Sequence, residues 1–195
     1  MKVLIFDDMS RCTEAEVQRM LPLVNAQRRE QALRYKHIFG QFCCLKSRLM
    51  LQELVDESMQ DADFLYNEHG KPYWEHGPYF SISHCKEGIA VVVGDEPVGI
   101  DIEGIRHADA DLIRRTMNER EQEQITSDRA FTRLWTQKEA VVKWQGVGIA
   151  GFEQLQTLLI PSYDLDVTKP RMIETFEKEN YIYSIAEGKL HCFRA

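Results

Sequence analysis

The chain has 195 residues, with 24 Lys and Arg against 31 Asp and Glu, so its formal net charge is −7 at pH 7. An acidic protein repels polyanions, which excludes a general nucleic-acid coat protein. The composition, 44% hydrophobic and 28% charged, is that of a soluble globular protein, and the longest apolar run, residues 88–94, is too short to span a membrane.

The N-terminal segment and the cysteines indicate the compartment. Residues 2–6 are strand-like and two aspartates follow them, a pattern too short and too acidic for a signal peptide. The cysteines are odd in number and show no Cys-x-x-Cys spacing, which argues against disulfides and structural zinc. We therefore expect a protein of the reducing cytoplasm. The cysteines are Cys12, Cys43, Cys44, Cys85 and Cys192.

Residues 25–60 have helical periodicity and predict two helices that meet near Gly40. The charge within this segment is uneven. Residues 25–50 contain six bases and one acid, whereas residues 51–68 contain six acids and no base. A local cationic surface is therefore expected inside an acidic protein.

Short strand-like runs come next, separated by turn residues. Their order predicts an antiparallel meander. The runs are residues 63–67, 79–83, 89–93 and 98–102, with a turn at 69–72.

The pattern then becomes helical and returns to strands. Residues 109–117 predict a short helix, Asn118 is a good N-cap, and Asp128 is expected to cap a helix that ends at Gln145 before a Gly-Val-Gly stop. The predicted C-terminal strands are residues 156–160, 172–176, 181–186 and 189–193, with a tight turn at 187–188.

This order predicts an α+β fold built from two halves of similar size, residues 1–96 and 97–195. Each half would contain an antiparallel sheet packed against helices. No low-complexity linker separates them, so we expect one rigid body with a seam, and seams between halves are common ligand sites.

The first group of candidate functional residues is Gly-Ile-Asp-Ile-Glu at residues 99–103. Side chains alternate across a strand, so Asp101 and Glu103 project from one face about 7 Å apart. Such a pair suits Mg²⁺, which takes one or two protein carboxylates and leaves other positions for water and phosphate. The alternative is a solvated strand face.

The second group lies on the helix of residues 131–144. Lys138 falls inside the apolar stripe of this helix, so it must snorkel, pair or take part in chemistry. Glu139 and Lys143, four residues apart, lie on the rim of the stripe. They form either an ordinary helix ion pair or a third metal carboxylate beside a counter-charge for phosphate oxygens.

The third group is Gly-Lys-Pro at residues 70–72 and Ser-Ile-Ser-His-Cys at 81–85. Gly70 and Pro72 are typical of a turn, and a single His after a strand is more often structural. Lys71 and His84 nevertheless present donor groups at neighbouring strand ends. No Ser-His-Asp or Cys-His motif supports covalent catalysis.

The order and spacing of four elements resemble the motifs of the 4'-phosphopantetheinyl transferases. The elements are Gly-Lys-Pro, Ser-Ile-Ser-His, Gly-Ile-Asp-Ile-Glu and Trp-Thr-Gln-Lys-Glu-Ala, the last followed by Lys143. The single-chain type that activates surfactin synthetase, the Sfp type, is the more similar. The resemblance implies a monomer of two halves related by a pseudo-twofold axis, and transfer of 4'-phosphopantetheine from coenzyme A to a serine of an apo acyl or peptidyl carrier protein, with release of 3',5'-ADP.

The resemblance also implies residue roles. Coenzyme A would lie in the seam, with Mg²⁺ on its pyrophosphate held by Asp101, Glu103 and Glu139. Lys143 would contact the same phosphates. Lys71, Ser83 and His84 would bind the adenosine end and the 3'-phosphate, and Arg28 would add a further phosphate contact. The other residues implied to bind the cofactor are Gly70, Pro72 and Asp101. The chain departs from the family pattern at Gln31 and Cys43, where basic residues are expected, and at Cys85, where serine is common.

For the reaction, the resemblance implies that a carrier serine attacks the β-phosphate of coenzyme A. Positioning and charge neutralisation dominate such a phosphoryl transfer. Lys143 would stabilise or protonate the leaving phosphate. Glu139 is the preferred base for the serine proton, directly or through a water, and Glu119 is the alternative.

Two other functions use the same residues. A Mg²⁺-dependent phosphohydrolase could use the three carboxylates, although the acidic net charge disfavours polyanionic substrates. In a non-catalytic α+β binding module they would be ordinary surface charges. For an acidic carrier protein, the proposed docking helix is residues 112–117, with Arg114 and Arg115.

Overall fold

The computed structural model describes residues 1–148, 152–159 and 170–189. Helices and strands are mixed along the chain, which confirms the predicted α+β class. The N-terminal elements are β1 (Lys2–Phe6), α1 (Glu14–Met20), α2 (Ala26–Leu33), α3 (Ile38–Leu54), α4 (Glu57–Gln60), β2 (Leu65–Tyr66), β3 (Pro72–Tyr73), β4 (Tyr79–Cys85) and β5 (Gly88–Gly94). The C-terminal elements are β6 (Val98–Gly104), α5 (Ala110–Thr116), α6 (Glu119–Gln124), α7 (Asp128–Gln145), α8 (Phe152–Leu155), β7 (Met172–Glu177) and β8 (Tyr181–Glu187).

The first sheet is antiparallel in the order β1-β5-β4. Its central strand β5 is buried along its whole length. Ile89, Val91 and Val93 face a core shared with α3, whereas Ala90 and Val92 face the second sheet. A strand covered on both faces needs an apolar run without alternation, which explains its sequence.

The second sheet is antiparallel in the order β6-β8-β7, and α7 packs across it. The helix begins after Ser127, whose hydroxyl accepts from the N–H of Ala130, and ends at Gly146 with a φ of 74°. That left-handed conformation favours glycine and stops the helix. Thr136 of α7 and Ser184 of β8 share a buried hydrogen bond of 2.8 Å between their hydroxyls.

Two serine side chains join the sheets where β4 meets β6. Strand β6 is at the edge of its sheet, so its outward N–H groups need acceptors. The Ser81 hydroxyl accepts from the N–H of Ile100 at 3.1 Å, and the Ser83 hydroxyl accepts from the N–H of Ile102 at 3.3 Å. The two sheets are therefore joined by hydrogen bonds as well as by apolar packing.

Strand β6 also lies directly against the backbone of α7. A Cβ atom on Gly99 would overlap the carbonyl oxygen of Ala140 and the backbone nitrogen of Trp144, and would lie 2.9 Å from the Cα of Trp144. Only glycine permits this approach. The contact brings the two elements that carry the predicted carboxylates and lysine to the shortest separation that their backbones allow.

The two helices predicted for this segment are confirmed, but they do not meet near Gly40. The break falls at residues 34–37, and Gly40 lies inside α3, where a Cβ would be 2.8 Å from the ring of Tyr35. The chain turns before the glycine because Tyr35 folds back onto α3. Gly40 therefore accommodates a ring and does not end a helix.

The predicted meander is correct for β4 and β5 but not for the last strand, which pairs with β8 in the other sheet. The strand predicted at residues 63–67 shortens to Leu65–Tyr66, which pairs with Pro72–Tyr73 around the predicted turn. The cap of α7 is Ser127, one residue before Asp128.

Of the strands predicted in the C-terminal part of the chain, some are confirmed and one is wrong. Strands at 172–176 and 181–186 are confirmed by β7 and β8. Residues 156–159 are a turn after α8 and not a strand, because Leu155 and Leu158 pack into the core beside α7. Two parts of the predicted strands lie outside the described residues: residue 160 of the strand predicted at 156–160, and residues 190–193 of the strand predicted at 189–193. Gly188 donates its N–H to the carbonyl of Pro97 at 3.2 Å.

Among the described residues, the cysteines Cys12, Cys43, Cys44 and Cys85 are free thiols. Within the same part of the chain, no helix combines the length and apolar character needed to cross a bilayer.

The Gly99 contact predicts a large stability difference between two glycine substitutions. Gly99→Ala should lower the free energy of unfolding by about 3 kcal/mol, because the new methyl group overlaps the backbone of α7. Gly70→Ala should cost only about 1 kcal/mol, because a Cβ at Gly70 meets nothing within 4 Å and the cost is confined to its φ of 81°. Urea denaturation measures both, and equal losses would contradict the role of the close approach.

Candidate active site

A cleft of about 290 Å³ lies between strand β4 and helix α7, beside the turn that joins β2 and β3. The turn between β2 and β3, strand β4 and helix α7 each contribute to its walls. Five of the residues predicted from the sequence to bind a ligand or metal line it: Gly70, Lys71, Pro72, Glu139 and Lys143. The other lining residues include His69, Phe80, Ser81, Ile82 and Gly146.

At the seam, Asp101 is held by one residue from each side. Lys143 of α7 donates to its Oδ1 at 2.7 Å, and the Ser83 hydroxyl of β4 donates to the same atom at 2.9 Å. Lys143 also donates to the Ser83 oxygen at 2.8 Å. Lys143 of α7 therefore forms an ion pair with Asp101 of β6, where the strand packs on the helix.

Two further carboxylates surround Asp101. Burial and the nearby Asp101 carboxylate raise the pKa of Glu103. The same causes, in the same order, raise the pKa of Glu139 to about 7, and Lys143 opposes the shift. The Glu103 carboxylate adds to the rise in the pKa of Glu139, and the cations Lys143 and Arg106 oppose the rise at both glutamates.

This cluster has the chemistry of a cation site. Asp101 is only 3% exposed. Within the described part of the chain, its buried Oδ2 atom has no hydrogen-bond partner. A buried carboxylate oxygen without a partner is costly unless a cation or water meets it. Over residues 1–148, 152–159 and 170–189, no group of three His, Cys, Asp or Glu side chains has the geometry to coordinate a metal ion without rearrangement. The donors fit a hard cation, and side-chain rotation would have to complete its coordination.

Lys71 lies at the cleft with its ammonium group directed into the seam. Its Nζ donates to the carbonyls of Val98 at 3.2 Å and Trp144 at 3.4 Å. Burial lowers its pKa to about 8. The side chain therefore connects the turn at Gly70 to β6 and α7.

His84 follows Ser83 on β4 and stands edge-on to the ring of Phe39 with 5.8 Å between the centroids. The residue is exposed at this end of the strand, but desolvation of its imidazole by the neighbouring protein, and then the charge of Lys143, lowers its pKa. The imidazole is thus kept neutral near pH 7 unless an anion meets it.

Arg28 is 8% exposed and its guanidinium group is occupied inside the first half. It donates to the carbonyl of Cys44 at 2.9 Å, the hydroxyl of Ser47 at 3.0 Å and the side-chain oxygen of Gln31 at 2.8 Å. The sequence placed Arg28 at a phosphate, whereas these bonds give it a place in the core between α2 and α3. Gln31, one of the departures from the family pattern, is one of its partners.

Glu119 lies in a different cleft, whose walls include Asn118, Leu134 and Gln137. Its neighbour Glu121 is buried and forms an ion pair of 2.8 Å with Lys138. Lys138, the lysine that the sequence placed inside an apolar stripe, also donates to the carbonyl of Leu155. Of the three options for Lys138, the structure shows pairing.

Sequence reasoning missed Arg106. Its guanidinium carbon lies 4.8 Å from the ring centroid of Trp135, and its charge lowers the pKa of both Glu103 and Glu139. Arg106 is thus a second cation near the carboxylates, held on an aromatic face. Arg106 lies in the loop after β6, where neither helical nor strand periodicity predicts the direction of a side chain. Only the three-dimensional structure therefore shows that it lies near the site.

Known proteins of one superfamily are similar to this chain. Residues 97–191 match the model of the 4'-phosphopantetheinyl transferase superfamily. The chain is 28% identical over 147 residues to the 4'-phosphopantetheinyl transferase psf-1 of Bacillus pumilus, over 69% of this chain and 63% of that protein. It is 24% identical over 150 residues to the transferase Sfp of Bacillus subtilis, over 71% and 67% of the two chains. It is 37% identical over 95 residues to the transferase AcpT of Salmonella typhi, over 43% and 50%.

The chain is therefore similar to members of the 4'-phosphopantetheinyl transferase superfamily, as its motifs indicated. It spans less than two thirds of the length of the Bacillus pumilus relative.

The raised pKa of Glu139 predicts a specific dependence of stability on pH. The carboxyl group binds its proton more tightly in the folded chain than in the unfolded chain, where its pKa is about 4.3. Its contribution to stability is therefore present in full below about pH 4.3 and is lost as pH rises through 7. Between pH 5 and pH 8, without metal, the wild type should lose more unfolding free energy than Glu139→Gln. Urea denaturation of both proteins at the two pH values tests this, and parallel pH profiles would refute it.

Proposed function

We propose that this protein transfers the 4'-phosphopantetheine group of coenzyme A to a serine hydroxyl of an apo acyl or peptidyl carrier protein, with Mg²⁺ as its metal and 3',5'-ADP as the second product. One observation carries the proposal. A cleft between the halves brings the Gly70 turn to Glu139 and Lys143, and Lys143 is bonded to Asp101 and Ser83. These are the positions of the family motifs, and the superfamily match covers Asp101, Glu139 and Lys143.

Coenzyme A would enter this cleft with its adenosine end toward the turn of residues 70–72. Ser83 and His84 would meet its phosphates from β4, and His84 is the residue whose protonation an anion would favour. The family pattern also assigns a phosphate contact to Arg28. Its internal hydrogen bonds favour a supporting role, in which it holds α2 against α3 beside the cleft.

Asp101, Glu103 and Glu139 would hold the magnesium ion. The unpartnered Oδ2 of Asp101 and the raised pKa of both glutamates support this assignment, because each would be stabilised by a cation. When bound, the ion would neutralise the oxygens of the pyrophosphate and so lower the cost of phosphoryl transfer.

The residues of the chain would carry the proton and charge steps. The serine oxygen forms a bond to the β-phosphorus, and the bond from that phosphorus to the bridging oxygen breaks, so that 3',5'-ADP leaves. Lys143 stands beside Asp101 with an ammonium group that can stabilise or protonate the departing phosphate. Glu139 is the preferred acceptor of the serine proton, directly or through a water, because it lines the cleft beside Lys143. Glu119, in the other cleft, is the alternative.

We also propose that the protein is monomeric and works in the cytoplasm. The supporting observations are that one chain supplies both walls of the cleft and that Cys12, Cys43, Cys44 and Cys85 are free thiols. Coenzyme A and unmodified carrier proteins are intermediates of intracellular synthesis, consistent with the reducing compartment that the cysteines indicate.

The carboxylates can be tested one at a time. Asp101→Ala, Glu103→Ala and Glu139→Ala should each reduce transfer by at least about 100-fold, because each removes a proposed ligand of the magnesium ion that would neutralise the pyrophosphate. The matched control is Glu174→Ala, an exposed carboxylate of β7 in the same sheet, which should keep wild-type activity. The assay is the mass gain of several apo-carrier proteins incubated with coenzyme A and Mg²⁺.

Full activity of any one of the three variants would remove that residue from the metal site. Phosphate release without coenzyme A would instead indicate a phosphohydrolase. A wild-type protein without transfer and without a thermal shift on addition of Mg²⁺ and coenzyme A would indicate a binding module.

Carrier docking gives a further prediction. Helix α5 presents exposed Arg114 and Arg115, both beside Asp111, on the surface of an acidic protein. Reversing both charges should raise the KM for an acidic carrier about tenfold and leave the KM for coenzyme A unchanged, because rim charges act mainly on association. Steady-state kinetics with each substrate varied in turn measure this, and an unchanged carrier KM would reject α5 as the docking helix.

A further inference from the structure

The side chain of Asn67 braces the turn between β2 and β3, which backbone hydrogen bonds from Gly70 to Asn67 and from Asn67 to Lys71 also close. The Oδ1 of Asn67 accepts from the backbone N–H of His69 at 3.0 Å and of Lys71 at 2.8 Å. Its Nδ2 donates to the carbonyl of Gly146 at 2.7 Å. One amide group thus shapes the turn and fastens it to the end of α7, 79 residues away in the sequence.

The C-terminal end of α7 supplies the acceptors for this contact. The last carbonyls of a helix have no partner within the helix and form the negative end of its dipole. Gly146 closes α7 by donating its N–H to the carbonyl of Val142 at 2.9 Å, and its own carbonyl is then met by Asn67. The Lys71 ammonium meets the carbonyl of Trp144. The turn therefore caps the helix from the other half of the molecule.

The close fit of this contact is visible at Gly146. A Cβ there would lie 3.2 Å from Cδ of Lys71 and 3.4 Å from Nδ2 of Asn67. The residue also has a φ of 74°, which favours glycine. Both the conformation and the space at this position suit the docking of the turn.

The same contact forms one wall of the cleft. His69, Gly70 and Lys71 line it from the turn, while Gly146 lines it from the end of α7, on the helix that also carries Glu139 and Lys143. The distance from the turn to these two site residues is thus set by the hydrogen bonds of Asn67 and Lys71.

We infer that Asn67 is a positioning residue for the coenzyme A cleft: by donating to Gly146 it holds the Gly70 turn at a fixed distance from Lys143 and Glu139. The inference rests on the proposed function only for the identity of the ligand. Its role is pre-organisation, since a turn already in place costs no ordering when the ligand binds. The Lys71 ammonium supports the same contact through its hydrogen bond to the carbonyl of Trp144.

Asn67→Asp separates the two tasks of the side chain. Aspartate keeps an oxygen acceptor for the N–H groups of His69 and Lys71 but cannot donate to the carbonyl of Gly146. Asn67→Ser is a second variant, because its hydroxyl can accept from the turn but is too short to bridge to α7. The matched control is Glu68→Gln, an exposed neighbour whose side chain contacts His69 and not α7.

Asn67→Asp and Asn67→Ser should raise the KM for coenzyme A about 3- to 10-fold, the effect of one lost hydrogen bond, with kcat within about twofold of wild type. Glu68→Gln should match the wild type. Hydrogen–deuterium exchange without ligand should show faster exchange in residues 65–73 of both variants and unchanged exchange in β4 and β5.

An unchanged KM together with unchanged exchange in residues 65–73 would overturn the inference. So would a fall in kcat and melting temperature at constant KM, because that is the result of a merely structural role. If the wild-type protein neither binds coenzyme A nor modifies any carrier, the proposed function fails. In that case the hydrogen–deuterium exchange of the variants and the wild type still tests, without any ligand, whether Asn67 holds the turn against α7.

Discussion

The packing of β6 directly on α7 at Gly99 is the constraint on which the rest of the site depends. A strand and a helix usually keep a distance set by their side chains, but here the strand lies against the helix backbone. Two residues farther along β6, on the same face, Asp101 therefore reaches Lys143 at 2.7 Å. A bulkier residue at position 99 would separate the elements and with them the acids of the strand from the charged residues of the helix.

The second half is held to the first through groups that also belong to the site. The Ser83 hydroxyl accepts from the N–H of Ile102 and from Lys143, and it donates to Asp101. Its one hydrogen and two lone pairs are all used, so its position is fully determined. The orientation of Asp101 therefore depends on a strand from the other half, and the seam and the site are parts of one hydrogen-bonded network. A cleft of this kind exists only while both halves are joined.

Periodicity predicted much of this arrangement because it needs only local geometry. Alternation along a strand places Asp101 and Glu103 on one face, and the helical period places Lys138 inside an apolar stripe. The partners could not be predicted in the same way. Lys138 pairs with Glu121, and Lys143 pairs with Asp101 and not with the nearby Glu139, because pairing depends on how α6, α7 and β6 pack. The Gly40 break was wrong for a related reason, since Tyr35 packs on that glycine.

The sequence by itself determined the α+β class, most of the helices and strands, and the motifs that carry the family. Each of these follows from residue type and spacing over a few turns or strands. Only the tertiary structure decided that β6 leaves the first sheet for the second and that Arg28 is enclosed in the core. It also decided that Arg106 stands beside the carboxylates and that Asn67 caps α7. These features depend on contacts between residues far apart in the chain, whose energies arise only when the two halves pack against each other.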